Sequence, residues 1–305
     1  MKIITLTLNP AFDIHCYAKN FKEYTENFVE VLSKDAGGKG INISRALTYN
    51  GIDNAAYMVV GCENKKEFIK SIKEDNINYK EIEVSGKIRE NITIHSDNVP
   101  ETRISFSGFC INESHILKLR TMLGKENLKE TIFTFTGSVP KGVNKECIRD
   151  FLNFIKQSGA KLVIDSKSLS YDDILYIKPW MIKPNEEEIR MYSNKSSVYE
   201  AADDLRKSGI ENVIISLGEK GAIYSSNMGI CSAVVPEIKV KSTIGAGDSL
   251  IAGFIGAISK GKNYIDAFKV GVSYGSAACL TNGTNPPKSE DIEEIYKNIK
   301  IEEIN

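Results

Sequence analysis

The chain has 305 residues, 42% hydrophobic and 26% charged, with a formal net charge of −1 and a pI ≈ 6.4. That balance describes a globular, soluble protein long enough for a sizeable buried core, with no basic field to attract nucleic acid or an anionic membrane. Cys16, Cys62, Cys110, Cys147, Cys231 and Cys279 form no Cys-x-x-Cys pair, and His15, His95 and His115 lack metal-ligand spacing, which argues against zinc and for reduced thiols in a cytoplasmic protein.

The first ten residues are too polar for a signal peptide and read as a first strand, and no apolar run is long enough to span a bilayer. Further strands are expected at 55–60, 131–136, 162–165, 180–183 and 213–217, with 3–8 as the first. Their near-continuous apolarity suits strands covered on both faces. Helices are expected between them, at 41–49, 67–75, 113–123, 146–157 and 201–207. The last third reads as helical, over 246–259, 267–280 and 291–299. This alternation predicts one α/β domain over residues 1–305, a mostly parallel central sheet flanked by helices. Two stretches depart from it, about 13–35 and 89–109, where alternating residues such as Ile92, Ile94, Ile104 and Phe106 lack intervening helices. They predict a small, discontinuous lid of antiparallel strands that could also pair with a second subunit.

Polar or glycine-rich turns fall at the ends of these strands, where open parallel sheets bind ligands. The most informative is Thr243-Ile244-Gly245-Ala246-Gly247-Asp248, which opens a long apolar helix near Ala246. The amides of Gly245, Ala246, Gly247 and Asp248 then lack intrahelical partners and, with the helix dipole, make an anion cradle. Asp248 is read either as a helix cap or as a general base beside that cradle, the arrangement needed to transfer a phosphoryl group to a hydroxyl. Asp35-Ala36-Gly37-Gly38-Lys39-Gly40-Ile41-Asn42 is not a P-loop, because Gly40 stands where a Ser or Thr would bind magnesium. Leu250 in place of a third glycine excludes a dinucleotide fingerprint around Gly245. At Lys183-Pro184-Asn185-Glu186-Glu187-Glu188 a strand yields to a helix with three carboxylates in its first turn, either dipole complementation or a magnesium site. Asn9-Pro10-Ala11-Phe12-Asp13, Thr136-Gly137-Ser138-Val139-Pro140 and Ser216-Leu217-Gly218-Glu219-Lys220-Gly221 complete the set.

Together these residues resemble the ribokinase-like (PfkB) carbohydrate kinase family, from Asn9 to about Pro287. Both family signatures are present in order, Gly37-Gly38-Lys39-Gly40-x-Asn42 and Ser242-Thr243-x-Gly245-Ala246-Gly247-Asp248. Asn9-Pro10-Ala11-x-Asp13, Gly137-Ser138-Val139-Pro140 and Lys183-Pro184-Asn185 most resemble the kinases of phosphorylated ketohexoses. The resemblance implies a ribokinase-like fold and phosphorylation of a ketohexose monophosphate by ATP with Mg2+. Fructose 1-phosphate is the preferred substrate and tagatose 6-phosphate the alternative; a non-catalytic sugar-phosphate sensor and a nucleoside or plain-sugar kinase are further alternatives. Asp248 would be the base and the Gly245, Ala246 and Gly247 amides part of the anion hole. Asp13, Gly38 and Asn42 would hold sugar hydroxyls, while Arg89 and Ser138, with Lys39 nearby, would hold the phosphate already on the substrate. Lys183, Ser216, Gly218, Gly221 and Ser276 would line the nucleotide site, and Asn185 and Glu188 would meet hydrated magnesium. One departure is Thr102-Arg103-Ile104-Ser105, where relatives commonly carry Thr-Glu-x-Asn; it sets a second cation, Arg103, on the lid side of the sugar site.

Overall fold

The computed structural model describes residues 1–193, 195 and 197–304. A ten-stranded sheet runs in the order β14 (Lys300–Ile304), β13 (Gly229–Val234), β12 (Ala222–Ser226), β11 (Asn212–Ser216), β10 (Met181–Ile182), β9 (Lys161–Asp165), β8 (Thr131–Thr136), β1 (Lys2–Thr7), β4 (Ala55–Gly61) and β5 (Tyr79–Val84). From β11 to β5 every pairing is parallel, and from β11 to β14 every pairing is antiparallel. The antiparallel edge is absent from the sequence expectation, which ends the chain in helix. β14 is short and carries Lys300, Glu302 and Glu303, so it lacks the apolar run of a buried strand while its charges discourage pairing with another chain.

Adjacent residues along the inner strands enter opposite cores. Ile4, Phe133, Ile164, Ile182 and Ile215 join one core. Ile3, Ile132, Val163, Met181 and Ile214 join the other. The first is covered by α2 (Lys65–Glu74), α3 (Glu113–Leu123), α4 (Lys145–Gln157), α5 (Tyr171–Ile177), α6 (Glu186–Tyr192) and α7 (Val198–Lys207). The second is covered by α1 (Lys39–Tyr49), α8 (Ala246–Ser259), α9 (Tyr264–Ala278) and α10 (Ser289–Asn298). Surface helices show the expected one-sided pattern: α4 buries Ile148, Phe151, Leu152 and Ile155, and its first turn is capped by Asn144 Oδ1, which accepts from the Cys147 amide at 2.7 Å. α8 is apolar nearly all round because α1 and α9 enclose it.

A second sheet stands apart, in the order β3 (Glu30–Gly37), β2 (Ala11–Tyr17), β6 (Arg89–His95), β7 (Thr102–Ser105). The β2–β3 and β6–β7 pairs are antiparallel, whereas β2 and β6 run parallel, which corrects the expectation of an all-antiparallel lid. The chain between them returns through α1, β4, α2 and β5, a path long enough for a parallel crossover. Arg103 and Ser105 of β7 face the cleft beneath this sheet, while Ile104 and Phe106 are exposed. Among the described residues no helix is long and apolar enough to cross a membrane.

Candidate active site

Between the lid and the carboxyl ends of the parallel strands lies a cavity of about 1400 Å³. It is lined by every residue to which the family resemblance gives a role, from Asp13 in the lid to Ser276 on α9.

The centre is the start of α8. Gly245 occupies the N-cap position with φ 79°, a left-handed conformation that glycine adopts without a Cβ penalty, and no side chain caps the helix. Asp248 is therefore not a cap, although one of its two sequence readings made it so. Its carboxylate is buried and Oδ2 accepts from Asn42 Nδ2 at 2.9 Å. Burial pushes the Asp248 pKa up to about 6; Asp165 adds to the shift, while Lys39, the Asn42 hydrogen bond and Lys183 oppose it. The result is a carboxylate with a pKa near 6 in the first turn of α8, where the Ala246 amide donates to the Thr243 carbonyl at 3.3 Å.

Two lysines flank it. Lys39 Nζ donates to Asp165 Oδ2 at 2.9 Å, and Lys183 Nζ lies 3.8 Å from the same oxygen. A Cβ on Gly247 would stand 3.1 Å from Lys183 Nζ, a measure of how near this ammonium comes to the amide ring. Burial draws the Lys39 pKa down, but Asp165, Asp248 and Glu188 outweigh it and the net shift is upward. For Asp165 burial pushes up, and Lys183 and Lys39 more than reverse it, so its carboxyl sits below the usual range. Asp165 thus holds two ammonium groups beside the start of α8. Sequence reasoning gave it no role; its signal was a carboxylate ending an otherwise apolar strand.

On the lid side, Asp13 Oδ1 accepts from Asn91 Nδ2 at 2.9 Å and from Arg103 Nη2 at 3.1 Å. Any side chain at Gly37 would drive its Cβ to 2.0 Å from Asp13 Oδ2, so the first signature glycine is required by this approach. Asn91 is a second residue that sequence reasoning missed, and its place on the Arg89–Asn91–Thr93 face of β6 was the available clue. Arg89 Nε is buried without a hydrogen-bond partner, and Nη2 reaches the Asn9 carbonyl only at 3.5 Å. Burial draws the Arg89 pKa below its ordinary value, Asp13 opposing and Arg103 adding to the shift. Asn9 Nδ2 donates to Ser138 Oγ at 3.0 Å, leaving Asn9 Oδ1 unpartnered. Ser166 Oγ donates to the Gly137 carbonyl at 2.6 Å and so pins the turn that carries Ser138. Gly38, at φ 124°, precedes α1 and brings its first amides to the same corner.

Opposite, Asn185 and Glu188 form a reciprocal capping box: Asn185 Oδ1 accepts from the Glu188 amide at 2.7 Å and Glu188 Oε2 from the Asn185 amide at 3.0 Å. Glu188 Oε1 remains, 3.4 Å from Lys167 Nζ. Ser216, Gly218 and Gly221 line the cavity beyond β11, and Val235, Ile238, Val240, Leu250 and Val272 give its far end an apolar wall. Ser276 lies on α9 beside that wall. Among the described residues, no group of three or more His, Cys, Asp or Glu side chains is arranged to hold a metal.

The pfkB family carbohydrate kinase pattern matches residues 7–291. The chain is 33% identical over 279 residues to the 1-phosphofructokinase of Haemophilus influenzae, covering 89% of each protein. It is 30% identical over 322 residues to a tagatose-6-phosphate kinase of Staphylococcus epidermidis, covering 99% of this chain and 100% of that one. Among solved structures, the phosphofructokinase-2 of Escherichia coli in complex with substrates and products superposes with a TM-score of 0.91 at 25% identity, over 98% of this chain and 99% of that one. A match that embraces both lid and sheet, with relatives of like length and like chemistry, leaves a single assignment: this chain belongs to the pfkB family of carbohydrate kinases.

Proposed function

We propose that the protein transfers the γ-phosphoryl group of ATP to a free hydroxyl of a ketohexose monophosphate, with fructose 1-phosphate the preferred acceptor and fructose 1,6-bisphosphate the product. The observation that carries this reading is a buried carboxylate near pKa 6 in the same cavity as a buried, unpartnered arginine nitrogen. The first suits abstraction of an alcohol proton at neutral pH. The second needs an anion, and a sugar phosphate supplies one in a geometry that a guanidinium binds with two parallel hydrogen bonds. The names of the two curated relatives support the substrate class and leave tagatose 6-phosphate as the other acceptor.

In this reading Asp13, Gly38 and Asn42 hold sugar hydroxyls, and Arg89, Ser138 and Arg103 hold the existing phosphate. Asp248 takes the proton of the acceptor hydroxyl as its oxygen forms the new bond to the γ-phosphorus. The bond to the β-phosphate oxygen breaks, and ADP leaves with that electron pair. The Gly245, Ala246 and Gly247 amides, Lys39 and Lys183 stabilise charge on the phosphoryl oxygens. Ser216, Gly218, Gly221 and Ser276 border the nucleotide. Glu188 Oε1, which faces the Lys167 ammonium at 3.4 Å, and Asn185 would meet a hydrated magnesium ion, which takes few protein ligands and completes its shell with water and phosphate. When bound, the ion neutralises phosphate charge. The exposed lid residues Val31, Leu32, Ile104 and Phe106 support pairing with a second copy of the chain.

A coupled assay of ADP release over fructose 1-phosphate, fructose 6-phosphate, tagatose 6-phosphate and free fructose tests the proposal. It stands if the phosphorylated ketohexoses drive turnover at low concentration, and falls if the free sugar is used as well as its phosphates or if none supports ADP release.

A further inference from the structure

Arg45 carries no role in the reaction described so far, yet it is buried on α1 one helical turn from Asn42. Its guanidinium makes three bonds at once: Nε donates to Asp75 Oδ2 at 2.8 Å, Nη1 to Asn42 Oδ1 at 3.1 Å, and Nη2 to the Ala36 carbonyl. Asn42 in turn donates from Nδ2 to Asp248 Oδ2. A primary amide offers an oxygen on one side and an NH2 on the other, and the two ends are nearly equal in shape. A guanidinium has donors only and an ionised carboxylate has acceptors only. Set between them, the Asn42 amide has one orientation, oxygen to Arg45 and N–H to Asp248.

We propose that Arg45 is a positioning residue for phosphoryl transfer: its grip on the Asn42 amide oxygen turns the amide N–H toward Asp248 and keeps that carboxylate ionised and aimed at the acceptor hydroxyl. The inference rests on Asp248 acting as the base. Its other two bonds make Arg45 a rigid holder. Asp75 anchors it at the end of α2, and the Ala36 carbonyl ties it to the last turn of β3, where the lid strand enters α1. Asp248 also faces Lys39 from α1, Lys183 from the end of β10 and Asp165 from β9. None of these three is hydrogen-bonded or ion-paired to Arg45, so changing Arg45 alters only one of the influences on the base, the Asn42 hydrogen bond.

The test is the pH dependence of kcat/KM for Arg45→Met, Asn42→Leu and the double variant, with Arg45→Lys as a milder change should the methionine variant fail to fold. In the parent protein the acidic limb is expected at about 6, the value to which burial raises the Asp248 pKa. Losing one hydrogen bond to the ionised form raises the limb by about one pH unit, so Arg45→Met loses activity about fivefold at pH 6 and recovers it by pH 8.5. Arg45→Lys, with one ammonium in place of a three-way planar fork, shifts the limb in the same direction. Asn42→Leu shows the raised limb by itself, and adding Arg45→Met to it moves the limb no further. A purely structural Arg45 would lower the amplitude and leave the limb in place. That result, or an additive shift in the double variant, overturns the inference. Failure of the base assignment looks different: Asp248→Asn would then turn over at near the parent rate, whatever the Arg45 variants did.

Discussion

Replacing Asp248 with Asn separates two accounts of this carboxylate, because they demand stability changes of opposite sign. A carboxylate that merely complements the α8 dipole stabilises the fold by about 0.3–1 kcal/mol, and its loss would lower Tm. A buried base does the reverse. Its pKa stands near 6 in the folded chain against an ordinary 3.8. At about 1.36 kcal/mol per unit, a difference of roughly two units costs the fold about 3 kcal/mol once the group is ionised. The sign follows from the order of the two values: the unfolded chain releases its proton first, so stability falls as pH rises from about 4 to about 6 and the full cost applies above that range. Setting the dipole term against it leaves about 2 kcal/mol, or a rise in Tm of about 3 °C for a chain of this size at pH 8. Asp248→Asn is therefore expected to be more stable than the parent at pH 8, to lose that advantage by pH 4, and to turn over about 10²–10⁴-fold more slowly with little change in KM for the sugar phosphate. Thermal denaturation across this pH range, paired with steady-state kinetics, makes the measurement. An unchanged or lower Tm at pH 8, or turnover within tenfold of the parent, refutes the reasoning.

If Arg89 holds the phosphate already on the sugar, Arg89→Ala should raise KM for fructose 1-phosphate about 10–100-fold; an equal loss with free fructose would place Arg89 elsewhere in the chemistry. Asp165→Asn strips the shared counter-ion from Lys39 and Lys183, and both kcat and Tm should fall, the latter by an amount of the order of 3–5 kcal/mol in stability. Retention of both would mean that the two ammonium groups need no carboxylate between them. Phe106→Asp places a charge on the exposed face of the lid and should convert a dimer to a monomer, read by light scattering; a parent protein that is itself monomeric would end the proposal of pairing through the lid.

The fold was legible where burial leaves a regular mark. Strands such as β1 and β8, apolar at successive positions, announce helices on both faces, and Ile3 and Ile4 duly enter different cores. The alternation at Ile92, Ile94, Ile104 and Phe106 told where the lid strands lie, but alternation reports a face and not a strand direction, so the parallel β2–β6 pair was hidden. The site was legible through its turns, because glycines and amides at strand ends are local features. Its couplings were not. Asn42 and Asp248 are 206 positions apart and Lys39 and Asp165 are 126 apart, and no window of sequence joins them. What those long-range pairs accomplish is visible in two carboxylates of one cavity. Asp165 and Asp248 are both removed from water, and burial alone would lift both pKa values. Lys183 and Lys39 close on Asp165 and reverse the effect there, whereas at Asp248 the lysines and one amide N–H only moderate it. In the proposed reaction the carboxylate that ends below the usual range would hold cations for a phosphoryl group, and the one left near 6 would accept a proton. Driving apart two chemically identical side chains is how one pocket supplies both an electrostatic anchor and a base, and it explains why substituting Asn should destabilise the protein at position 165 and stabilise it at position 248.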